Sequence, residues 1–273
     1  MNKLPTVFVI VVNYNGSTDT IECINSILNS NTDSYELSII VIDNASDKND
    51  LRKVSSFIES QKKCRLIKSG TNLGFTGGNN LGIKSALEAG ADYIFILNND
   101  TLLEKNTINN LLKFLLRKKE AGIAGPKIYF AKGCEFHKDR YTADDIGKVF
   151  WSAGGVIEWN NVILSNRGVD EIDSGQFNET IETDFVSGCA MMVPSAVFKK
   201  IGLFDDKYFV YLEDVDFCLR AKKAGYKLFY DPDSVLWHKN ASSSGKPGSS
   251  LHVYYQTRNL LYFGIKYAGI LTK

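Results

Sequence analysis

Short hydrophobic runs recur along the first 130 residues and alternate with stretches of a different period. Residues that are almost all apolar fill 7–12, 37–42, 66–67 and 93–97. Such runs are typical of strands covered on both faces, as in parallel sheets flanked by helices. Between the runs, apolar residues fall at helical spacing, as at Ile21, Ile24, Ile27 and Leu28. The alternation predicts an α/β fold with right-handed crossovers and a mostly parallel central sheet.

The pattern changes near residue 130, after a fifth predicted strand at 123–130 that a proline interrupts. Residues 131–183 are mostly polar, which predicts short strands or loops that cover a site. We expect a further strand at 185–193, followed by an acidic helix that Gly225 closes. The pattern therefore predicts that the second part of the chain forms a smaller region of the same domain.

Three small polar residues end the hydrophobic run at 93–97, namely Asn98, Asn99 and Asp100. Ligands of parallel sheets gather at the carboxyl ends of the strands. The carboxylate of Asp100 suits Mg²⁺ or Mn²⁺, while the two amides can donate and accept hydrogen bonds without adding charge. This combination suits a metal held jointly by protein and phosphate. A plain turn that caps the next helix is the alternative, because these residues also cap well.

A glycine-rich segment contains Gly74, Gly77, Gly78 and Gly82 and superficially resembles a dinucleotide fingerprint. That fingerprint belongs in the first strand-helix turn, whereas these glycines follow the third strand. The segment therefore does not predict a nicotinamide cofactor. It can instead bring backbone and the amide of Asn79 close to a bound ligand.

A cluster of acids, Glu213, Asp214 and Asp216, opens the predicted acidic helix. Acids in a first turn often only complement the helix dipole, but three within four residues exceed what capping needs. Asp214 would lie at the helix N-terminus, where free N–H groups favour its ionised form. Asp216 is placed to pair with Arg220 four residues later. His238 follows another apolar run, and such a residue alone is more often structural than a ligand.

Composition narrows the choice of partners. The 273 residues are 44% hydrophobic and 23% charged, which is ordinary for a globular protein, and the formal net charge is +1. A chain without a broad basic field is not expected to bind nucleic acid. The five cysteines are far apart and form no C-x-x-C pair, as is typical of reduced thiols. With no signal-peptide pattern and no membrane-spanning run, we expect a cytoplasmic protein.

Five motifs occur in the order that one known family shows. They are VVNYNG at 11–16, IDNASD at 42–47, NLGFTGGNNLG at 72–82, LNNDT at 97–101 and EDVDF at 213–217. The chain resembles an inverting glycosyltransferase of family 2 with the Rossmann-like GT-A fold, and it is most similar to bacterial rhamnosyltransferase-like members. The resemblance covers nearly all of the chain.

The resemblance implies roles for individual residues. Asp43 would recognise the pyrimidine base of a nucleotide-sugar, Asp100 would be the last acid of a metal-binding D-x-D-type motif, and His238 would supply a second contact to Mg²⁺ or Mn²⁺. Asp214 would be the general base, with Glu213 orienting the acceptor or a loop. The remaining expected donor-binding residues are Tyr14, Asn15, Asn79, Asn98, Asn99 and Arg258. Asn98 stands where many GT-A enzymes carry an aspartate, which leaves strict metal dependence open.

The resemblance also implies an organisation and an activity. Residues 1–130 would form the nucleotide-sugar-binding half, 131–250 the acceptor side with the catalytic base, and 251–273 a C-terminal helical extension. The enzyme would move a sugar from a UDP- or dTDP-sugar to a hydroxyl of a glycan or lipid-linked acceptor, in bacterial cell-surface polysaccharide synthesis. A carboxylate such as Asp43 can accept the N3–H that uracil and thymine share, so the donor stays open between them.

Two alternatives come from other classes. A sugar nucleotidyltransferase also uses a Rossmann-like sheet and a metal-binding aspartate, but it needs a basic loop after its first strand, and residues 13–16 contain no Lys or Arg. A non-catalytic nucleotide-sugar-binding module is conceivable because of Asn98, although Glu213 and Asp214 argue against it.

The C-terminal extension is rich in Leu, Ile, Tyr and Phe, with Arg258, Lys266 and Lys273 as its only charges. It predicts either an interfacial helix against the inner face of a membrane, near a lipid-linked acceptor, or a helix that packs back over the domain. The guanidinium of Arg258 could also reach the diphosphate of the donor.

Overall fold

A ten-stranded sheet with helices on both faces organises the chain, and the computed structural model describes residues 3–240 and 248–269. The strands are β1 Thr6–Asn13, β2 Glu36–Asp43, β3 Cys64–Lys68, β4 Tyr93–Asn98, β5 Thr101–Leu103, β6 Ala121–Phe130, β7 Phe150–Ser152, β8 Gly155–Glu158, β9 Ile163–Asn166, β10 Ile181–Glu182, β11 Ala190–Pro194 and β12 Lys227–His238. The helices are α1 Ser17–Leu28, α2 Lys48–Glu59, α3 Gly74–Glu88, α4 Thr107–Arg117, α5 Ser195–Ile201, α6 Glu213–Lys223 and α7 Ser250–Tyr267. The predicted α/β class is confirmed.

The parallel part of the sheet follows from the hydrophobic runs. β1 pairs in parallel with β2 and β4, and β2 pairs with β3, which gives the order β4-β1-β2-β3. Successive residues of β1 face opposite sides, so Val9 and Val11 join the core under α1, α2 and α4 while Ile10 joins the core under α3. The carboxyl ends of β1, β2 and β4 therefore meet at one edge of the sheet.

One strand of the second region runs against the parallel strands. β11 inserts antiparallel between β4 and β6, and β12 then pairs in parallel with β6. The prediction of a strand over 185–193 was wrong for its first half. Residues 185–189 leave the sheet because they meet α6, where the Gly188 N–H donates to the Asp214 carboxylate at 2.7 Å. A Cβ at Gly188 would lie only 3.2 Å from that of Asp214, and this close approach favours glycine.

Pro126 does not interrupt β6, in contrast to the sequence prediction. It pairs with Asp231 of β12, directly before a register irregularity between Asp231 and Val235. Proline lacks the N–H that a regular ladder needs, and the irregularity accommodates this loss inside the sheet.

The region after β6 forms a cover over the carboxyl edge. Its short strands, which the polar stretch predicted, include an antiparallel hairpin of β8 and β9. Trp159 in the hairpin stacks on Phe263 of α7, with ring centroids 6.2 Å apart. Helix α7 buries Asn259 and Phe263 but exposes Leu261 and Ile265. Within the described residues, no helix is long and apolar enough to cross a membrane. The last four residues of the predicted extension, 270–273, lie outside the described part.

Candidate active site

A cavity of about 680 Å³ opens at the carboxyl edge of the sheet. Its floor comes from the ends of β1, β2 and β4, and its walls come from the β8-β9 hairpin and the start of α6. Of the predicted site residues, seven line it: Tyr14, Asn98, Asn99, Asp100, Glu213, Asp214 and His238. Two halves of the chain that are distant in sequence thus face one another across a single space.

Asp100 and His238 form a buried pair on the floor of the cavity. The antiparallel pairing of β5 with β12 aligns Thr101 with His238, which brings the imidazole Nε2 to 3.1 Å from Asp100 Oδ1. Burial disfavours a charged ring, but neighbouring Cys189 and Asp100 outweigh it and raise the pKa of His238 well above its usual value. The imidazole and the Trp151 ring also pack edge to face, with their centroids 4.7 Å apart.

The donor atoms of this pair fit a divalent cation shared with a ligand. The His238 Nδ1 is buried without a hydrogen-bond partner, and within the described residues no group of three or more His, Cys, Asp or Glu side chains forms a metal cage. A carboxylate and an imidazole leave most of a coordination sphere open. Mg²⁺ is commonly bound in this way, with one or two protein ligands and the remainder from phosphate oxygens and water.

Asn44 lines the cavity beside the end of β2, and the sequence interpretation missed it. Its Nδ2 donates to Asn72 Oδ1 and the Gly74 carbonyl, both at 3.0 Å, and its Oδ1 accepts from the Leu73 N–H at 2.9 Å. These bonds attach the end of β2 to the start of α3. The signal for this residue lay in the IDNASD motif, directly beside Asp43.

Four predicted donor-binding residues, Asp43, Asn15, Asn79 and Arg258, are not among those that line the cavity. Asp43 is buried, and its carboxylate accepts from Asn13 Nδ2 at 3.2 Å and from the Ser46 N–H at 3.3 Å. Asn15 is exposed and accepts from the Asp47 N–H. The amide of Asn79 turns back onto its own helix and donates to the Phe75 carbonyl at 2.9 Å.

Arg258, predicted to reach a phosphate, is directed elsewhere. Its Nη2 donates to the carbonyls of Lys207 at 2.6 Å and Tyr208 at 2.8 Å, and its guanidinium stacks over Tyr255 at 4.8 Å. Arg258 does not line the cavity. In the structure, backbone carbonyls occupy the planar donor fork of this guanidinium.

Asp214 lies at the first turn of α6 and faces the cavity. One oxygen accepts from the Gly188 N–H at 2.7 Å and the other from the Val215 N–H at 2.8 Å. Burial raises the pKa of Asp214, and the two N–H bonds oppose that rise. The expected pair between Asp216 and Arg220 is confirmed at 2.8 Å, so the carboxylate of Asp216 is directed away from the cavity into a structural role.

Glu213 also lines the cavity, in a different environment. It is only 4% exposed, and its Oε2 has no hydrogen-bond partner. Burial, followed by the charge of Asp214, raises the pKa of Glu213 well above its usual value. Burial and the charge of Asp214 therefore favour a neutral carboxylic acid at Glu213.

The five residues before these acids, Tyr208–Leu212, form a strained segment. Phe209, Tyr211 and Leu212 have φ angles of 65°, 71° and 73°. A non-glycine residue in this left-handed region costs about 1–3 kcal/mol, so the surrounding structure must hold the segment in place. The side chains of 209–212 line the cavity. Nothing in the sequence signalled this conformation, because bulky residues usually argue against it.

A family model and several known proteins are similar to this chain. A family model described as glycosyl transferase family 2 matches residues 8–202. The chain is 26% identical over 252 residues to the low-salt glycan biosynthesis hexosyltransferase Agl10 of Haloferax volcanii, covering 92% of this chain and 73% of that protein. It is 27% identical over 234 residues to the rhamnosyltransferase WbbL of Escherichia coli K12, covering 83% and 80%.

A third relative is the N-acetylglucosaminyl-diphospho-decaprenol L-rhamnosyltransferase of Mycobacterium tuberculosis, 26% identical over 230 residues, covering 81% of this chain and 73% of that protein. Among solved structures, GalNAc-T7 with UDP, GalNAc and Mn²⁺ superimposes with a TM-score of 0.72, covering 96% of this chain and 48% of that one. The mannosyltransferase PcManGT of Pyrobaculum calidifontis, with GDP-Man and Mn²⁺, has a TM-score of 0.61 and covers 98% and 66%. Both are 16% identical to this chain, so they establish a shared fold.

Proposed function

The chain belongs to glycosyltransferase family 2 and shares the fold of GT-A enzymes, and from this premise we propose the reaction that its cavity performs. A sugar moves from a UDP- or dTDP-sugar to a hydroxyl of a glycan or lipid-linked acceptor, with inversion at the anomeric carbon. The relatives named as hexosyl- and rhamnosyltransferases support this choice of donor sugars. Synthesis of a cell-surface polysaccharide is the setting that these relatives favour.

One observation carries the proposal: the same cavity holds a metal-compatible pair on its floor and, on its wall, a carboxyl group that two backbone N–H groups hold in place. Asp100 directly precedes β5 and His238 ends β12, while Asp214 belongs to α6. A single displacement needs only one base, which takes the proton of the acceptor hydroxyl as that oxygen attacks the anomeric carbon. Retaining enzymes that form a covalent intermediate need a second carboxylate as nucleophile. Glu213 is a poor candidate for that role, because its raised pKa favours the neutral acid.

Asp214 is suited to the role of base. Two backbone N–H groups and the N-terminus of α6 stabilise its charge, while burial raises its pKa. A base is most efficient when its pKa approaches the working pH, so this partial elevation favours proton transfer. The bonds from Gly188 and Val215 also fix the carboxylate in orientation.

Asp100 and His238 would hold the Mg²⁺ or Mn²⁺, jointly with the diphosphate of the donor. When bound, the cation would stabilise the negative charge of the departing nucleoside diphosphate. The chain itself contributes uncharged donors nearby. Asn98 and Asn99 line the same floor, and Asn99 is fixed by its bond to Thr20 at 2.9 Å. Such amides can bind phosphate oxygens without the repulsion that a further carboxylate would add.

The donor base is assigned to the end of β2. Asp43 would accept the N3–H of uracil or thymine, and Tyr14, at the end of β1, lines the adjoining wall. The bonds from Asn13 and Ser46 hold the carboxylate of Asp43 in place before the donor arrives. Because Asp43 does not line the cavity, this side of the cavity would have to open when the nucleotide binds.

The acceptor is proposed to carry a lipid. Exposed apolar side chains from two elements, Ile163 of β9 and Leu251 and Leu260 of α7, line the cavity, and Leu261 and Ile265 extend the apolar surface along the helix. The relative from Mycobacterium tuberculosis is named for a decaprenol-linked substrate. An apolar helix face beside the site would let the enzyme bind the membrane surface peripherally.

Liposome co-sedimentation tests the membrane part of the proposal. Replacing Leu261 and Ile265 together by Gln should reduce the bound fraction without unfolding the protein, because both side chains are exposed. Leu116→Gln, which replaces an exposed leucine on α4, is the control and should change nothing. Equal sedimentation of all three proteins would rule out membrane contact through α7.

A donor panel tests the reaction itself. The protein is incubated with UDP-glucose, UDP-galactose, UDP-N-acetylhexosamines or dTDP-rhamnose in the presence of Mg²⁺ or Mn²⁺, and thermal shift and nucleotide release are measured. A glycosyltransferase releases the nucleoside diphosphate, whereas a binding module shows only the thermal shift. A nucleotidyltransferase would instead release a nucleoside triphosphate from a nucleotide-sugar and pyrophosphate, and that outcome would overturn the proposal.

A further inference from the structure

The strained segment Tyr208–Leu212 is held from outside itself by α7. Asn259, which is 1% exposed, directs its Nδ2 at three carbonyls of the segment: Tyr208 at 3.0 Å, Val210 at 2.7 Å and Tyr211 at 2.8 Å. The fourth carbonyl, that of Phe209, accepts from the Thr76 N–H at 3.0 Å. Successive carbonyls are thus each held by a donor that lies far away in sequence.

Arg258 fixes the orientation of that amide. Its Nε and Nη2 donate to Asn259 Oδ1 at 2.9 and 2.7 Å, which leaves the Nδ2 side facing the carbonyls. The same guanidinium binds the carbonyls of Lys207 and Tyr208. Arg258 and Asn259 therefore act together, and we call this pair the clamp. In the structure the guanidinium of Arg258 binds backbone carbonyls.

We infer that Asn259, oriented by Arg258, is a positioning residue for the general base. The inference rests on the proposed function, in which Asp214 removes the acceptor proton. Leu212 precedes Glu213 directly, and a segment with three left-handed residues relaxes toward ordinary φ angles when its carbonyls lose their donors. Relaxation would rotate the start of α6 and move Asp214 away from its bond with Gly188.

The clamp lies outside the part of the chain that the family model matches, which ends at residue 202. The clamp also touches no residue of the cavity floor, so its effect should be confined to the acceptor side.

The isosteric change Asn259→Asp tests the inference against simple packing. It keeps the volume and the acceptor for Arg258, but it places an oxygen against three carbonyl oxygens. We expect kcat to fall by about 10²-fold, as for a misplaced catalytic group, with the affinity for the donor nucleotide unchanged in calorimetry. Asn259→Ala should be no more harmful than Asn259→Asp. If the aspartate variant is milder than the alanine variant, or if donor affinity falls with kcat, the role is packing and the inference is wrong.

Two further variants keep the test decisive should Asn259→Asp fold poorly. Arg258→Ala removes the orienting partner at a half-buried position and should lower kcat with donor affinity retained. Asn80→Ala is the matched control, because Asn80 is a buried asparagine that bonds to Phe204 and Asp206 just before the segment. At a temperature where both are folded, Asn80→Ala should affect kcat less than Arg258→Ala, and the reverse order would overturn the inference.

Combination with Asp214→Asn separates the inference from the function on which it rests. If Asn259 acts through Asp214, adding Asn259→Asp to Asp214→Asn should cost little further activity. Additive losses would mean that Asn259 acts by another route. Near wild-type transfer by Asp214→Asn alone would refute the base assignment, whereas an inactive Asp214→Asn beside a fully active Asn259→Asp would refute only the clamp.

Discussion

The two sides of the cavity, which we assign to the donor and to the acceptor, achieve precision by different means. On the donor side, functional groups stand at the ends of regular strands, as Asn98 does at the end of β4. On the acceptor side, Asp214 follows three left-handed residues, and contacts from α3 and α7 hold that segment. Regular strands place a side chain without backbone strain, whereas the surrounding structure must hold a segment of left-handed residues in place.

Buried polar groups near the cavity also differ in how completely they are bonded. Near the carboxyl end of β1, Asn13 donates to Asp43, Ser46 and Asp50, and Thr20 donates to its Oδ1. In contrast, Glu213 Oε2 in α6 and His238 Nδ1 on the cavity floor are buried without hydrogen-bond partners. Buried polar groups without hydrogen bonds and carboxyl groups with raised pKa values are typical of functional sites.

The largest expected effect comes from Asp214→Asn. Loss of a general base typically lowers a rate by about 10²- to 10⁴-fold and leaves ground-state binding alone. We expect transfer to fall by at least about 10²-fold while calorimetry shows unchanged binding of nucleotide and metal. A large loss of donor affinity would contradict the separation of the two sides.

The pH dependence and a neighbouring acid sharpen the same comparison. Because burial raises the pKa of Asp214, wild-type transfer should fall on the acid side at a pH above the usual aspartate range, and Asp214→Asn should lose this acidic limb of the pH profile.

Asp216→Asn should affect stability instead of the pH profile. It breaks a buried network with Arg220, Lys266 and Tyr267, so its cost of about 3–5 kcal/mol should appear in the free energy of unfolding.

The second effect lies on the donor floor. Asp100→Ala should abolish the divalent-dependent part of nucleotide binding, and His238→Ala should weaken metal affinity by about 10- to 100-fold. Isothermal titration with Mn²⁺ and UDP or dTDP, with and without EDTA, measures both. Full activity of the wild type in EDTA would refute the metal assignment and leave Asp100 with a structural role.

A smaller effect is expected at the base-recognition end. Asp43→Ala should reduce the affinity for UDP or dTDP by about 10-fold, the scale of one hydrogen bond to a charged group, without changing which sugar is preferred. Calorimetry with the nucleotide alone and competition between donors are the measurements. Because Asp43 also bonds to Asn13 and Ser46, the melting temperature must be compared in parallel. Unchanged nucleotide affinity would refute the role.

The smallest effect concerns stability at Glu213. Its folded-state pKa is raised well above the ordinary value of 4.5, so the folded protein keeps a proton that the unfolded chain releases. The wild type therefore loses stability as the pH rises above that ordinary value. Glu213→Gln mimics the neutral acid and does not titrate, so it should melt at a higher temperature than the wild type at pH 8 and show little gain at pH 4. A gain that is equal at both pH values would contradict the raised pKa.

Most of the donor half could be predicted from the sequence because its signals are local. The hydrophobic runs gave strand positions within one or two residues for β1, β2 and β4, and parallel strands bring their carboxyl ends together. The pairing of Asp100 with His238 was expected from family resemblance alone. Its physical basis is the antiparallel contact between β5 and β12, and no local pattern encodes that register.

The acceptor side was less predictable for a physical reason. Hydrogen bonds from Asn259, nearly fifty residues later, hold the left-handed backbone at Tyr211 and Leu212. At Arg258 the residue type suggested a phosphate ligand, whereas the fold presents backbone carbonyls to the guanidinium. Long-range tertiary bonds overrode what residue type and position implied.

The insertion of β11 between β4 and β6 has a consequence for synthesis of the chain. Until Pro194 has left the ribosome, β4 has no neighbour on one side and β6 cannot join the sheet. Strand pairs of such high sequence separation form slowly and leave edges exposed to association. The first 130 residues could therefore not be expressed or exchanged between enzymes as a module, and chimeras should be joined only after β11.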